Sequence, residues 1–250
     1  MTAVPEASPA VLLDIQHLNV WYGAAQALFD VALQVRRGEV VALMGRNGAG
    51  KSTLLKAIMG LIRQHHAQIQ FMGRDISRQP SYRIAQLGMG YVPEDRRIFT
   101  ELTVMQNLDI GCQPPRQWPD DGVALPPWTL QRILAVFPNL SKMLDRSAAH
   151  MSGGEQQMLT VARTLMGNPY LVLLDEPSEG IAPIVVEQMV QAVQTLKAQG
   201  AGVLLSEQNL HFADTVADRV YVLEEGHICY QGTMAVLVEN NQVLRAHMTI

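Results

Sequence analysis

Two hydrophobic patterns alternate along the chain, and each predicts a different kind of strand. The segment 12–20 is short and strand-like, and within 31–35 apolar residues alternate with Ala32 and Gln34, which is the period of a half-buried strand. The runs 40–43 and 170–174 are continuously apolar, as in strands of a parallel sheet that are covered on both faces. The pattern therefore predicts a small antiparallel sheet beside an α/β core.

Other stretches complete the order of elements. The further predicted strands are 69–71, 90–94 and 202–206, with a hairpin of 219–223 and 227–230. The predicted helices are 54–59, 130–137 and 184–199, with a last helix and a loose end from Met234 onward. Strand signals are scarce between about 100 and 166, and the proline-rich segment 113–128 predicts a surface loop. We interpret this region as a helical insertion, because the sheet resumes after it.

This order of elements predicts one α/β domain at 11–250. Its core would comprise 11–93, including an antiparallel β subdomain, and 164–250, with a helical subdomain at about 94–163. Residues 1–10 are expected to form a flexible tail, and the pair His65-His66 to lie in a solvated turn.

A glycine-rich stretch separates the strand at 40–43 from the helix at 54–59. Strand, glycine-rich loop and helix in this order form the setting of a P-loop, whose backbone N–H groups and helix start surround a phosphate. Lys51 would reach the β- and γ-phosphates, and the Ser52 hydroxyl would ligate Mg²⁺. A chance glycine-rich turn is the alternative. The predicted nucleotide-binding residues of this stretch are Gly45, Arg46, Asn47, Gly48, Ala49, Gly50, Lys51, Ser52 and Thr53.

A second glycine motif begins the helix that follows the insertion. Ser152 and Glu155 have the spacing of a capping box, and Gly153 and Gly154 between them allow a second anion site. Taken alone, ordinary helix capping explains this motif.

Two carboxylates follow the buried strand at 170–174. Asp175 and Glu176 would lie at the sheet edge where open α/β folds bind ligands. One carboxylate there can support Mg²⁺, and the other can polarise an attacking water. A solvated strand end is the alternative.

Composition narrows the class of protein. A hydrophobic content of 48% with 17% charged residues is typical of a packed globular protein, and a net charge of −4 argues against bulk nucleic-acid binding. Cys112 and Cys229 fit no metal motif and are expected to be free thiols in a reducing compartment. No apolar run approaches the roughly 18–20 residues that cross a bilayer, and the first ten residues resemble no secretory signal. We therefore expect a cytosolic protein that reaches a membrane through a partner.

The motifs together, in their order along the chain, resemble the ATP-binding subunit of ABC transporters from about Leu12 onward. The resemblance implies a P-loop NTPase fold with a RecA-like core, an antiparallel β subdomain and a helical subdomain. The segments 92–99, 151–157, 175–183 and 206–209 are further similar to one of the two ATPases of branched-chain amino-acid importers and their urea and amide relatives.

The resemblance assigns a role to each site residue. Tyr22 would stack on adenine, unless it is a core aromatic at a strand edge. Glu176 would be the general base, with Lys51 and Gln208 completing the catalytic group. The helix start Ser152, Gly153, Gly154 and Glu155 would cap the γ-phosphate of ATP that the opposite subunit holds. Ser52, Asp175 and Glu94 would support Mg²⁺.

Three positions depart from the general ABC pattern. Glu94 stands where a glutamine is usual, Gln208 replaces a histidine, and Ala182 replaces an aspartate. Glu94 adds an anion beside the triphosphate, and Gln208 removes a potential cation. We therefore expect the site of this chain to hydrolyse ATP less efficiently than that of a more standard partner.

The resemblance also implies partners and a location. The first partner is a second ATPase subunit, which is expected to be a different chain, with a homodimer as the alternative. Permease subunits would dock near the Glu94 loop and the helical insertion. A periplasmic solute-binding protein would be an indirect partner. The protein would lie at the cytoplasmic face of the plasma membrane. It would bind ATP and Mg²⁺, and it would not bind nucleic acid. A soluble ABC ATPase of DNA repair or translation is the alternative function, and a P-loop kinase or GTPase would leave the Ser152 helix start unexplained.

Overall fold

The computed structural model describes residues 10–63 and 65–239, so the predicted tail at 1–10 and the predicted loose end after 239 lie almost wholly outside the described residues. The described strands form one sheet of four and one of six. The strands are β1 (Val11–Tyr22), β2 (Ala25–Arg36), β3 (Val40–Met44), β4 (His65–Phe71), β5 (Arg74–Asp75), β6 (Met89–Val92), β7 (Leu171–Asp175), β8 (Gly202–Glu207), β9 (Arg219–Glu224) and β10 (His227–Thr233).

Helices cover the larger sheet and fill the insertion. They are α1 (Lys51–Ile58), α2 (Ser81–Gln86), α3 (Val104–Gly111), α4 (Leu130–Val136), α5 (Gly153–Leu165), α6 (Pro183–Ala198), α7 (Leu210–Val216) and α8 (Met234–Glu239). Two short 3₁₀ segments, Pro138–Lys142 and Ala148–His150, lie between α4 and α5. No helix within 10–63 and 65–239 has the length and hydropathy of a membrane span.

The six-stranded sheet has the order β10-β9-β3-β8-β7-β6, and its pairs are parallel except for the β9–β10 hairpin. Alternate residues of β3 enter different hydrophobic clusters, with Val40 and Ala42 on one face and Val41 and Leu43 on the other. Both faces of this sheet are therefore buried, which explains the continuously apolar runs. The parallel order brings the carboxyl ends of β3, β8 and β7 to one edge.

The smaller sheet has the order β2-β1-β4-β5 and is antiparallel throughout. The predicted α/β fold with an antiparallel β subdomain is confirmed. The prediction of a turn at His65-His66 is wrong, since these residues begin β4 and pair with Val20 and Asn19 of β1. Their tertiary pairing overrides a local sequence that has no strong strand signal.

The proline-rich segment 113–128 is irregular, as predicted, apart from one bridge between Gln117 and Ala124. Its description as a surface loop is wrong for three residues, because Trp118, Leu125 and Trp128 are each at most 4% exposed. The proline residues exclude regular structure but leave the side chains between them free to enter the core. Cys112 and Cys229 are free, as predicted, and both are exposed.

Candidate active site

The loop from Gly45 to Gly50 joins β3 to α1 and requires glycine at two points. Gly45 has φ 157°, and a Cβ there would lie 2.3 Å from the carbonyl oxygen of Leu223. Gly50 has φ 110°, and a Cβ there would lie 2.7 Å from Leu28 Cδ2. Gly50 also occupies the N-cap of α1 without a capping side chain. The first N–H groups of α1 are thus left to phosphate oxygens, as a P-loop needs.

Lys51 is buried at the centre of this loop. Its Nζ donates to the carbonyl oxygens of Gly45 at 2.9 Å and Arg46 at 3.2 Å. The same Nζ lies 3.0 Å from Glu176 Oε1, and both side chains are less than a tenth exposed. The ammonium group therefore holds a carboxylate oxygen in the place where phosphate oxygens are expected.

Asp175 lies at the end of β7 and is fully buried. Its Oδ1 accepts hydrogen bonds from Ser52 Oγ at 2.9 Å and Ser206 Oγ at 2.7 Å, and its Oδ2 accepts one from the Tyr91 hydroxyl at 3.1 Å. Burial, together with the Asp175 charge, raises the pKa of Tyr91 well above its usual range, so the phenol remains a neutral donor.

A magnesium site fits this arrangement. Ser52 and Asp175 supply adjacent hard oxygen atoms, which are the ligands that Mg²⁺ prefers. Among the described residues, no three His, Cys, Asp or Glu side chains form a metal cluster. A magnesium ion would therefore depend on these two residues, water and the phosphates themselves.

Glu176 has a left-handed backbone, with φ 47°, which is rare for a long side chain and is found at strained functional positions. Its N–H donates to the carbonyl and hydroxyl oxygens of Ser206, both at 3.1 Å. Burial raises the pKa of Glu176, but hydrogen bonds from Glu179, Lys51 and Gln208 outweigh it, so this pKa is lowered overall.

Glu179 shows the opposite shift. Its hydrogen bond to Glu176, partial burial and the charges of Glu176, Glu94 and Glu207 raise the pKa of Glu179 to about 7. Of these two neighbouring carboxyls, Glu176 is therefore ionised near neutral pH, whereas Glu179 is about half protonated.

Gln208 connects the phosphate-binding loop to Glu176. Its Nε2 lies 3.1 and 3.0 Å from the two carboxylate oxygens of Glu176 and 2.6 Å from Asn47 Oδ1. Glu207 beside it is 2% exposed and accepts three backbone N–H groups, including those of Ser178 and Gln208. Burial, opposed by these bonds, raises the pKa of Glu207. The segment 206–208 thus supports both carboxylates at the end of β7.

Tyr22 lies at the end of β1 beside the loop. Its side chain is exposed, and its hydroxyl is 3.4 Å from Thr53 Oγ1. An exposed ring at this position is available to stack on a base, so the predicted role of Tyr22 in adenine binding stays a prediction.

The start of α5 is a complete capping box. Glu155 N–H donates to Ser152 Oγ at 3.4 Å, and Ser152 N–H donates to Glu155 Oε2 at 2.6 Å. A Cβ at Gly153 would meet the Arg96 guanidinium at 2.6 Å, and one at Gly154 would meet Val185. These contacts connect the helix start to the insertion and to α6 rather than to the P-loop of the same chain. Its action on a second subunit's ATP stays a prediction.

Glu94 is exposed and is not among the hydrogen-bond partners of Asp175, although its charge contributes to the raised pKa of Glu179. Its predicted part in Mg²⁺ binding stays a prediction.

Sequence reasoning missed Tyr91, Ser206 and Glu179. Ser206 was detectable as a polar residue near the carboxyl end of β8, but its hydrogen bond to Asp175 was not, and no local signal points to Tyr91 or Glu179.

The phosphate-binding loop follows β3, and two carboxylates end β7, a parallel strand separated from β3 only by β8. Together with the Gln208 amide that joins the loop to Glu176, they define a P-loop nucleoside triphosphatase. Comparison with known proteins gives the family. Residues 28–179 match the ABC transporter family, and the chain belongs to it, as an ATP-binding, ATP-hydrolysing subunit.

Relatives of known name support this membership. The chain is 40% identical over 237 residues to the high-affinity branched-chain amino acid transport ATP-binding protein BraG of Pseudomonas aeruginosa, covering 95% of this chain and 99% of the relative. It is 34% identical to the lipopolysaccharide export system ATP-binding protein LptB of Haemophilus influenzae, covering 95% and 97%.

A solved structure is similar over the same length. The ADP conformation of MJ1267, an ATP-binding cassette of an ABC transporter, superposes with a TM-score of 0.76 at 26% identity, covering 94% of this chain and 97% of that one. The predicted membership of the ABC ATP-binding subunits is confirmed, and the alternative of a soluble DNA-repair ATPase is not supported.

Proposed function

We propose that this chain energises an importer of branched-chain amino acids, as a peripheral subunit at the cytoplasmic face of the plasma membrane. The likeness to BraG supports the solute class. The observation that carries the transporter role is an exposed apolar groove beside the site, described below, which suits a permease segment.

The hydrolytic steps would use the residues at the ends of β3, β7 and β8. Lys51 would exchange Glu176 for the γ-phosphate, which frees that carboxylate to orient a water in line with the phosphorus. Gln208 would keep Glu176 directed at the phosphate through its two hydrogen bonds. Mg²⁺, held by Ser52 and supported by Asp175, would neutralise phosphate charge. Positioning and charge neutralisation are the main requirements of phosphoryl transfer.

A second ATPase subunit would complete the site. The Ser152 helix start is satisfied within its own chain by the capping box, yet its glycines leave backbone N–H groups at the positive end of a 13-residue helix. We infer that this end faces the ATP of the other subunit, which is expected to be a different chain.

The groove lies between α2, the edge strand β6 and the helices α3 and α5, with a volume of about 590 Å³. Leu61, Tyr82, Phe99 and Ile110 line it, and each is 45–59% exposed. Contiguous exposed apolar side chains of this kind mark partner sites. Arg97 and Arg163 add positive charge. We propose that an amphipathic helix of a permease subunit, with acidic residues at its rim, occupies this groove.

Uptake of radiolabelled leucine tests the proposal directly. A strain that lacks this chain should lose high-affinity uptake, and the wild-type chain should restore it whereas Glu176→Gln should not. Ile110→Arg, which adds a charge to the groove at a residue outside the phosphate-binding loop, should abolish assembly with the permease but keep ATP binding. Normal leucine uptake in the deletion strain, with the chain recovered in a lipopolysaccharide exporter, would overturn the solute class.

A further inference from the structure

Tyr91 belongs both to the groove and to the hydrolytic site. It lies on β6, the edge strand of the six-stranded sheet, opposite Leu173 of β7. It is half-buried and lines the groove together with Tyr82 and Ile110. Its hydroxyl donates to Asp175 Oδ2 at 3.1 Å. One side chain therefore spans the distance from a partner surface to the carboxylate that supports Mg²⁺.

The two oxygen atoms of Asp175 are held unequally. Oδ1 accepts from two hydroxyls, those of Ser52 and Ser206, both on elements within the core. Oδ2 accepts from Tyr91. A shift of the Tyr91 ring therefore releases or turns Oδ2 while Oδ1 remains fixed, and the geometry that Mg²⁺ requires is strict.

The backbone at this point has little freedom. A Cβ at Gly90 would lie 2.7 Å from Thr164 Cγ2 of α5, so β6 packs directly on the helix that begins at Ser152. A segment seated in the groove would thus act on the Tyr91 side chain, because β6 itself is held against α5. Glu94, which was expected to support Mg²⁺ and to lie near the docked permease, makes no hydrogen bond to Asp175 among the described residues.

We propose that Tyr91 is a positioning residue that transmits occupancy of the groove by a permease helix to Asp175 and so sets the affinity for Mg²⁺. The coupling rests on the proposed function, whereas the positioning role stands on the hydrogen bond alone.

Tyr91→Phe tests the positioning role, with Tyr82→Phe as the matched control. Tyr82 lines the same groove but its hydroxyl contacts Arg83 Nε at 3.4 Å, not Asp175. The measurement is Mn²⁺ binding to the full chain with saturating ADP, followed by electron paramagnetic resonance. We expect Tyr91→Phe to weaken Mn²⁺ binding about tenfold, as for one lost hydrogen bond to a charged acceptor, with unchanged ADP affinity in EDTA. Tyr82→Phe should match the wild type. Equal Mn²⁺ affinity in all three proteins would overturn the positioning role.

The same titration on the permease complex tests the coupling. Wild type and Tyr82→Phe should change their Mn²⁺ affinity on assembly, and Tyr91→Phe should not. A change of the same size in Tyr91→Phe would overturn the coupling. Failure to recover any permease would overturn the proposed function and the coupling that rests on it, while the result on the isolated chain would still decide the positioning role.

Discussion

The ion pair between Lys51 and Glu176 joins the phosphate-binding loop to the hydrolytic carboxylate, and its loss should destabilise the nucleotide-free protein. The two groups are 3.0 Å apart, with side chains 3% and 7% exposed. Removing one partner of a buried pair leaves an uncompensated charge and costs about 3–5 kcal/mol. Gln208 still donates to Glu176, so we expect Lys51→Met to cost about 3 kcal/mol, the lower end of this range.

Urea unfolding of the nucleotide-free chain measures this cost. The double variant Lys51→Met, Glu176→Gln should recover more than half of it, because neither charge remains. Lys197→Met provides the control, since its pair with Asp218 is about 40% exposed on both sides, and such pairs contribute about 0–1 kcal/mol. The single variant Glu176→Gln is measured in the same way. If Lys51→Met costs no more than Lys197→Met, or if the cost of the double variant equals the sum of the costs of Lys51→Met and Glu176→Gln, the account of a buried, mutually dependent pair is wrong.

Three further predictions concern single residues of the site. Glu176→Gln should lower kcat about 10²- to 10⁴-fold in steady-state ATP hydrolysis and leave Mg²⁺-ATP binding intact, as for loss of a general base; an undiminished kcat would remove Glu176 from that role. The folded-state pKa of Glu179, raised to about 7 from 4.5, means that the native state binds this proton more tightly than the unfolded state, so stability falls as pH rises through this window. Glu179→Gln should flatten that fall in urea unfolding at stepped pH, and an unchanged slope would contradict it. Gly45→Ala should abolish folding or nucleotide binding, because its Cβ would overlap the Leu223 carbonyl. The control Gly122→Ala lies at a left-handed position with open space around it, so it should lower the free energy of unfolding by only about 1–2 kcal/mol. Equal effects of the two substitutions would contradict the steric argument.

The phosphate-binding loop and the carboxylates at 175–176 could be predicted because each depends on a local pattern. A buried strand followed by glycine or by carboxylates specifies its own end, without knowledge of its neighbours. Tyr91 and Ser206 reach Asp175 only because β6 and β8 both pair with β7 in one register. Register between strands so distant in sequence has no local signal, so the hydrogen bonds of Tyr91 and Ser206 to Asp175 appear only in the structure.

Burial within the helical insertion was likewise not predictable from the local sequence. Trp118 is buried with Arg37 4.1 Å above its ring and Tyr170 4.9 Å away. The sequence around Trp118 contains proline and charge, which predict irregular backbone correctly and exposure incorrectly. Burial there depends on contacts with residues about 50 to 80 positions away, and composition within the segment carries no information about them.

Gln208 provides a test of the expected low activity of this site. Its amide is neutral and donates to both oxygens of Glu176, where the ABC resemblance implies a histidine. Gln208→His would place an imidazole there that is charged below a pKa of about 6.5. Because Glu176 and the γ-phosphate are both anionic, a cation between them should stabilise the arrangement for hydrolysis.

The expected result is a kcat above that of wild type near pH 6, with the gain lost as pH rises through the imidazole pKa towards about 8. Steady-state hydrolysis of Mg²⁺-ATP across this range measures it, and the neutral variant Gln208→Asn should show no such pH-dependent gain. If Gln208→Asn and Gln208→His have the same pH profile, charge at this position does not limit the rate. The neutral amide would then be sufficient for positioning Glu176, and any inequality between the two ATPase subunits would have to come from Glu94 or Ala182.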